Sequence, residues 1–174
     1  MNKTRTHIYL RALNSRACTG FVEVNGRRFP CLLGKNGRTF RKKEGDGKSP
    51  KGSWKLERLL IRPDKGHRFS VSLNVEELRR DDGWCDAAGD RSYNRKVCLP
   101  YPASHENLWR KDEAYDLLVT TSHNQRPRVQ GQGSAIFVHL IRKDAQYTEG
   151  CVALSAKDMK HVLRAIRKNA YLVI

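Results

Sequence analysis

The sequence predicts a mainly β fold, a β-rich sandwich with one or two short helices, and three observations support this prediction. Short apolar runs alternate with turn signals along most of the chain, a pattern typical of strands. The dipeptide Asn25-Gly26 lies between two such runs and is the strongest hairpin signal, which favours antiparallel pairing. Helical spacing of apolar residues occurs in one segment near the C-terminus.

The strands follow from the apolar runs in chain order. Pro30 cannot donate a ladder hydrogen bond, so it places its strand at an edge or a bulge. Ser104 is a candidate N-cap and predicts a short helix over residues 104–110. We predict strands over residues 7–12, 21–24, 28–33, 54–60, 115–121, 135–140 and 171–174.

The C-terminal helix is predicted over residues 155–168. Ser155 is a plausible N-cap, and Asp158 follows three residues later as in a capping box. The opposite face is basic. The apolar residues at i, i+3, i+4 and i+7 predict a face that packs on the sheet, formed by Met159, Val162, Leu163 and Ile166.

Length and composition limit the class of protein. A chain of 174 residues predicts one domain, residues 1–174. It has no apolar run long enough to span a membrane, and its first ten residues lack the apolar core of a secretory signal. The formal net charge of +16 predicts attraction to polyanions. Because the basic residues are dispersed, we expect general anion attraction and no specific nucleic-acid site.

The five cysteines predict no metal centre. No two of them are separated by only two residues, so the patterns of zinc ribbons and redox motifs are missing. An odd number fits one free nucleophile plus up to four structural cysteines. In an oxidising compartment Cys85 and Cys98 are near enough in sequence to pair, and in a reducing one they are small buried residues. The five are Cys18, Cys31, Cys85, Cys98 and Cys151.

The most informative stretch runs from residue 134 to residue 155. His139 is the one polar side chain in an otherwise apolar strand, and Cys151 follows twelve residues later. A strand that turns back brings the imidazole to the thiol, and a neighbouring imidazole and helix N-terminus favour the thiolate. Gly150 leaves nearby N–H groups accessible for an oxyanion hole. The stretch predicts a cysteine acyl-transfer site; the alternative is an inert buried cysteine and a core histidine.

Three groups of motifs resemble the L,D-transpeptidase catalytic domain, the YkuD family. The first is Gly133-Ser134-Ala135-Ile136-Phe137-Val138-His139 followed by Thr148-Glu149-Gly150-Cys151-Val152-Ala153-Leu154. The second is the Gly45-Asp46-Gly47-Lys48-Ser49-Pro50-Lys51-Gly52 turn. The third is Asp82-Gly83-Trp84-Cys85 with Tyr93-Asn94. Glu149 and Ala153 replace the His and Arg of the commoner pattern, which indicates a divergent subgroup.

The resemblance implies an L,D-transpeptidase-like β-sandwich that acts on peptidoglycan stem peptides. Cys151 would form the acyl-enzyme, His139 would act as general base and then general acid, and Gly150 would contribute to the oxyanion hole. No metal or organic cofactor is implied. The expected substrate-binding residues are Arg142, Thr148, Glu149, Trp84 and Tyr93.

Two alternatives remain open at this stage. The same acyl-enzyme gives a carboxypeptidase or endopeptidase if water replaces the acceptor amine. A second alternative is a basic binding module for an anionic polymer, with an inert cysteine. The implied substrate predicts a periplasmic or cell-envelope location, although no signal peptide is visible. The stem position attacked, the export route and the oligomeric state stay undetermined.

Overall fold

A computed structural model of the chain describes residues 6–67 and 70–174 and confirms the mainly β prediction. One α-helix and one 3₁₀ turn, Pro63–Lys65, accompany the strands. The elements are β1 (Thr6–Arg11), β2 (Thr19–Val24), β3 (Arg27–Leu32), β4 (Arg38–Thr39), β5 (Ser49–Pro50), β6 (Ser53–Ile61), β7 (Asn74–Glu77), β8 (Asp82–Cys85), β9 (Arg95–Cys98), β10 (His105–Asn107), β11 (Leu117–Thr121), β12 (Phe137–Leu140), β13 (Val152–Leu154), α1 (Ala156–Ala165) and β14 (Ala170–Val173).

The main sheet has nine strands in the order β11-β12-β13-β3-β2-β1-β14-β6-β7. Because β6 also pairs with β11, the sheet closes on itself, with β7 added outside the ring. Most neighbours are antiparallel, but β1 with β14, β6 with β7, and β12 with β13 are parallel. Closure gives the ring a single apolar interior.

Helix α1 packs its apolar face against that interior, as its apolar spacing predicted. Met159, Val162 and Leu163 are buried against residues from several strands of the ring. Ser155 is the N-cap, and its Oγ accepts a hydrogen bond from the Asp158 N–H at 3.1 Å. The helix ends at Ala165 because Ile166 adopts an extended backbone conformation and continues into the core. In the described part of the chain, no helix has the length and apolarity needed to cross a membrane.

The hairpin prediction is confirmed. Asn25 and Gly26 have φ values of 49° and 74° and join β2 to β3, as a tight turn of this type requires. On the far side of β3, strand β13 pairs with Cys31 and Leu32. Pro30 therefore lies beyond the end of β13, where its missing N–H breaks no ladder bond.

The helix predicted over residues 104–110 is wrong. Residues His105–Asn107 form β10, which pairs with β8 in a small sheet of order β10-β8-β9. A lone cap signal nucleates no stable helix in so short a segment, and the free edge of β8 supplies backbone partners. β12 begins at Phe137, two residues later than predicted, because Ala135 has a φ of 50°.

The small sheet packs on the outside of the ring and forms a second apolar cluster. Cys151 belongs to this cluster, and so do Trp84, Tyr115 and Phe137. The Trp84 and Phe137 rings meet edge to face with centroids 5.0 Å apart. The candidate nucleophile thus lies where the small sheet meets the closed sheet.

All five cysteines are free, and none of them forms a disulfide among the described residues. Cys85 and Cys98 lie at opposite ends of the β8–β9 pair, since Cys85 is opposite Arg95 and Cys98 is opposite Asp82. The pairing considered for an oxidising compartment is therefore wrong. Cys85 is buried and Cys98 is exposed.

Candidate active site

The parallel pairing of β12 and β13 brings the two candidate catalytic residues together. Val138 is opposite Val152, and His139 is opposite Ala153, so Cys151 lies beside the first residue of β12. The Cys151 Sγ accepts a hydrogen bond from the Phe137 N–H at 3.3 Å and donates one to the Ala135 carbonyl at 3.1 Å. These two backbone contacts position the sulfur.

Cys151 and His139 line one cavity of about 460 Å³ between the small sheet and the closed sheet. The cavity walls come from β10, from the segment that precedes β11, and from the loop between β12 and β13. Its other lining residues are Leu32, His105, Glu106, Asn107, Arg110, Ala114, Tyr115, Arg142, Ala145, Tyr147, Thr148, Glu149 and Ala153.

The backbone carbonyl of Leu140 orients the imidazole. It lies 2.8 Å from His139 Nδ1, so this nitrogen is the donor and Nε2 keeps its lone pair. Burial lowers the pKa of His139 to about 4, and the positive charge of Arg110 acts in the same direction. The ring is therefore neutral at pH 7 and is available as a proton acceptor.

The thiol is also neutral at pH 7, which corrects the expectation of a thiolate. Burial raises the pKa of Cys151 to about 12, and the negative charge of Glu106 adds to this effect. The expected helix N-terminus is too distant, because β13 separates Cys151 from α1. Three strand residues span roughly 10 Å, whereas the field of a helix end fades within its first turn.

Two hydroxyl groups hold the backbone at the nucleophile. Thr148 Oγ1 donates to the Cys151 carbonyl at 2.7 Å and accepts the Gly150 N–H at 3.1 Å. Ser49 Oγ approaches the same carbonyl at 3.4 Å. The Gly150 N–H is therefore occupied. In the described residues the Cys151 N–H has no hydrogen-bond partner, which makes it the better oxyanion donor.

Gly150 is required here by its conformation and its neighbours. Its φ is +146°, and a Cβ at this position would lie 2.9 Å from the Lys48 carbonyl oxygen. A side chain would therefore push the nucleophile loop away from the turn around Ser49. Gly150 therefore maintains the conformation of this loop.

The other residues expected to bind substrate fall into two groups. Arg142 and Glu149 lie at the exposed rim of the cavity, and Glu149 pairs with Lys35 at 2.8 Å. Trp84 and Tyr93 are buried and are absent from the cavity lining. The Trp84 Nε1–H donates to Asn94 and the Tyr93 hydroxyl to Glu44. Trp84 packs in the apolar cluster that contains Cys151, so the expectation that these two residues line the substrate cavity is wrong.

Three residues that the sequence did not single out line the same cavity: Glu106, Arg110 and Tyr115. The Tyr115 hydroxyl donates to Glu106 Oε2, and the Tyr115 ring meets the His139 ring edge to face at 5.3 Å. Arg110 is bound by Asp112 at 2.8 Å and lies over the Tyr115 ring. Glu106 was not identified from the sequence, because Ser104 indicated a helix where the structure has β10.

Residues 6–67 and 70–174 contain no candidate metal centre. Among them, no group of three or more His, Cys, Asp or Glu side chains is arranged so that it could hold a metal ion.

A thiol and an imidazole line this one cavity, and these are the two groups that cysteine-dependent acyl transfer uses. The family model of the L,D-transpeptidase catalytic domain, YkuD, matches residues 15–174, and the chain belongs to this family. Members of the family are typically cysteine-dependent acyltransferases.

Two further comparisons add little. No curated protein sequence is similar enough to count as a match. The solved structure of Bd1075 from Bdellovibrio bacteriovorus is similar with a TM-score of 0.48 and 18% identity, over 98% of this chain and 48% of that chain. The chain thus spans about half the length of that protein.

Proposed function

We propose that this protein is an L,D-transpeptidase that acts on peptidoglycan stem peptides in the cell envelope through an acyl-enzyme on Cys151. Family membership supports the class of reaction. One observation carries the assignment to residues: the Cys151 thiol and the neutral His139 imidazole line the same cavity. A peptide carbonyl bound there meets both a nucleophile and a base.

The resting state of the pair defines the first step. His139 Nε2 removes the thiol proton as Cys151 Sγ attacks the carbonyl that precedes a D-residue. The Cys151 N–H stabilises the oxyanion that forms. The imidazolium then gives its proton to the departing amine, and a thioester remains on Cys151. Because both partners start neutral, proton transfer and attack take place together and no thiolate is stored.

The second step uses the same base. An amine on a second stem peptide attacks the thioester carbonyl, His139 accepts a proton from the attacking nitrogen, and the sulfur leaves and is reprotonated. The product is a cross-link. Water in place of the amine gives a shortened stem peptide, which is the carboxypeptidase or endopeptidase reaction.

Intact-mass analysis tests the assignment. The protein is exposed to a carbapenem, or to a purified tetrapeptide muropeptide, and is compared with Cys151→Ala. We expect a covalent adduct on the wild type and none on Cys151→Ala, because each reagent presents a carbonyl to the nucleophile. An adduct of equal yield on both proteins, or none on the wild type, would contradict the proposal and favour the binding module.

Product analysis separates transfer from hydrolysis. With the tetrapeptide muropeptide as both donor and acceptor, transfer gives cross-linked dimers, whereas hydrolysis gives shortened monomers alone. We expect dimers. Shortened monomers alone would leave Cys151 as the nucleophile but would replace the transpeptidase with a peptidase.

A further inference from the structure

Glu106 occupies a position that the proposed acylation step does not explain. It lies on β10 and lines the same cavity as Cys151 and His139. Its negative charge raises the pKa of the Cys151 thiol. A carboxylate at this point therefore opposes formation of the acyl-enzyme, and a neutral side chain would serve that step better.

Among the described residues no cation lies within ion-pair distance of Glu106, although the positive charge of Arg110 partly offsets the rise that burial causes in the pKa of its carboxyl group. Arg110 is bound by Asp112 through Nε and Nη2, and Glu149 is paired with Lys35. In the described part of the chain Glu106 forms no ion pair, and its one hydrogen bond is from the Tyr115 hydroxyl to Oε2. Oε1 therefore remains a free acceptor at the cavity wall. A carboxylate in such a place favours a positively charged ligand.

We propose that Glu106 binds the ammonium group of the acceptor stem peptide and thereby directs the acyl-enzyme to an amine instead of water. The proposal rests on the function proposed above. The acceptor amine is protonated at neutral pH, so it arrives as a cation and must lose a proton before it can attack. A carboxylate beside the thioester can meet both needs, since it attracts the cation and accepts the proton.

The protons balance in this step. One proton passes from the ammonium group to the Glu106 carboxylate, and the neutral nitrogen attacks the thioester carbonyl. A second proton passes from that nitrogen to His139, which then reprotonates the departing sulfur of Cys151. The third hydrogen stays on the new amide, and Glu106 later releases its proton to water. Burial raises the pKa of Glu106, which makes the carboxylate a better proton acceptor.

Tyr115 acts as the positioning residue of this subsite. Its hydroxyl group holds Oε2 of Glu106, and its ring lies edge to face with the His139 ring at a centroid distance of 5.3 Å. One side chain therefore connects the carboxylate to the base. This arrangement keeps the free oxygen of Glu106 close to the nitrogen that His139 must deprotonate.

The partition between amine and water provides the first test. Wild type, Glu106→Gln and Glu77→Gln are each given a tetrapeptide donor with increasing amounts of a stem-peptide acceptor. We expect Glu106→Gln to form the acyl-enzyme at least as fast as wild type and to lower the ratio of dimer to shortened monomer at least about tenfold. The loss should appear as a higher acceptor KM. Glu77→Gln is the matched control, an exposed carboxylate on β7 that does not line the cavity, and it should keep the wild-type ratio.

The second test measures binding and needs no catalytic turnover. It therefore distinguishes failure of this subsite from failure of the transpeptidase assignment. Acceptor stem peptide with a free side-chain amine, or with that amine acetylated, is titrated into Cys151→Ala protein. We expect acetylation to weaken binding, and the further change Glu106→Gln to remove the difference between the two peptides. Tyr115→Phe should reduce the difference without removing it. Equal binding of both peptides to Cys151→Ala, or an unchanged partition in Glu106→Gln, would overturn the proposal.

Discussion

At the scale of single residues, burial determines how the candidate nucleophile and base work. It raises the pKa of Cys151 and lowers the pKa of His139, so both charged forms are disfavoured in the free protein. The sequence suggested a thiolate, because a neighbouring imidazole and a helix N-terminus both favour that form. Both side chains line the same cavity, but desolvation by burial is the main cause of each pKa shift and opposes both charged forms.

The pH profile of acylation tests this neutral pair. A base with a pKa of about 4 stays unprotonated as the pH falls from 8 to 5. The second-order rate constant, which reports the free protein, should therefore fall less than about twofold over this range. A histidine with the ordinary pKa near 6.5 would give a fall of about 30-fold. At each pH, the reaction with a carbapenem is stopped at set times, and the covalent adduct is quantified by intact-mass analysis.

Its control is the circular dichroism spectrum at pH 5, which must match the spectrum at pH 8. A midpoint near pH 6.5 would show that His139 is well hydrated and that the neutral pair is wrong. His139→Ala should lower the rate at every pH by about 10²- to 10⁴-fold, the usual contribution of a general base.

At the scale of elements, the site depends on a parallel strand pair and on the loop between its strands. β12 carries His139, and β13 begins directly after Cys151. The loop returns to β13 through Thr148, whose N–H and C=O pair with Leu33 and Lys35. The closed sheet and its adjoining loops therefore position the sulfur, and the helix does not.

The helix cap gives a prediction that separates these roles. Ser155→Ala removes the N-cap hydroxyl of α1, which accepts the Asp158 N–H. We expect the free energy of unfolding to fall by about 1 kcal/mol, as measured by urea denaturation. The rate of acylation should stay at the wild-type value, because β13 lies between the helix and the thiol. A slower rate in the folded variant would restore the helix N-terminus as an activator of Cys151.

For the Thr148 hydroxyl group in the loop before Cys151, we expect a substitution to lower both the stability and the rate of acylation. Thr148→Val removes the donor to the Cys151 carbonyl and the acceptor of the Gly150 N–H. The Gly150 N–H loses its partner and the Cys151 carbonyl keeps only the longer contact with Ser49 Oγ at 3.4 Å, so the free energy of unfolding should fall by about 1–3 kcal/mol. Displacement of the sulfur should slow acylation by about 10- to 100-fold.

Thr148→Ser is the matched control for that change. It keeps the hydroxyl group, and its rate should stay close to the wild-type rate. Equal slowing in Thr148→Ser and Thr148→Val would show that the methyl group matters more than the hydrogen bonds.

Local signals predicted most of the fold and half of the site. Asn25-Gly26, the apolar runs and the spacing of Met159 to Ile166 act within a few residues, so they are visible in sequence. The segment 104–110 is different, because its state is decided by the free edge of β8, which is distant in the chain. Glu106 was missed for the same reason, and the role of Thr148 depends on strand contacts that no local pattern records.

At the scale of the whole molecule, the charge imbalance is too large for internal pairing to remove. The chain has 34 Lys and Arg residues against 18 Asp and Glu residues, a formal net charge of +16. Even if every acidic group formed an ion pair, 16 basic groups would remain. Several of them lie together around a second cavity of about 730 Å³, which is lined by Arg41, Lys43 and Lys51 beside the exposed ring of Phe40. A positive field of this size attracts anionic polymers, and salt screens it.

Salt dependence tests how much this field contributes to substrate encounter. Raising the salt concentration from 50 to 500 mM shortens the Debye length from roughly 14 Å to roughly 4 Å. We therefore expect binding of Cys151→Ala protein to carboxylate-rich peptidoglycan fragments, measured by co-sedimentation, to weaken at least about tenfold. Fragments with amidated carboxylates are the matched control and should bind with little dependence on salt. The reversal Arg41→Glu with Lys43→Glu should reduce the salt dependence for the acidic fragments. If acidic and amidated fragments respond equally to salt, the positive field does not guide this protein to its substrate, and short-range contacts in the Cys151 cavity dominate binding.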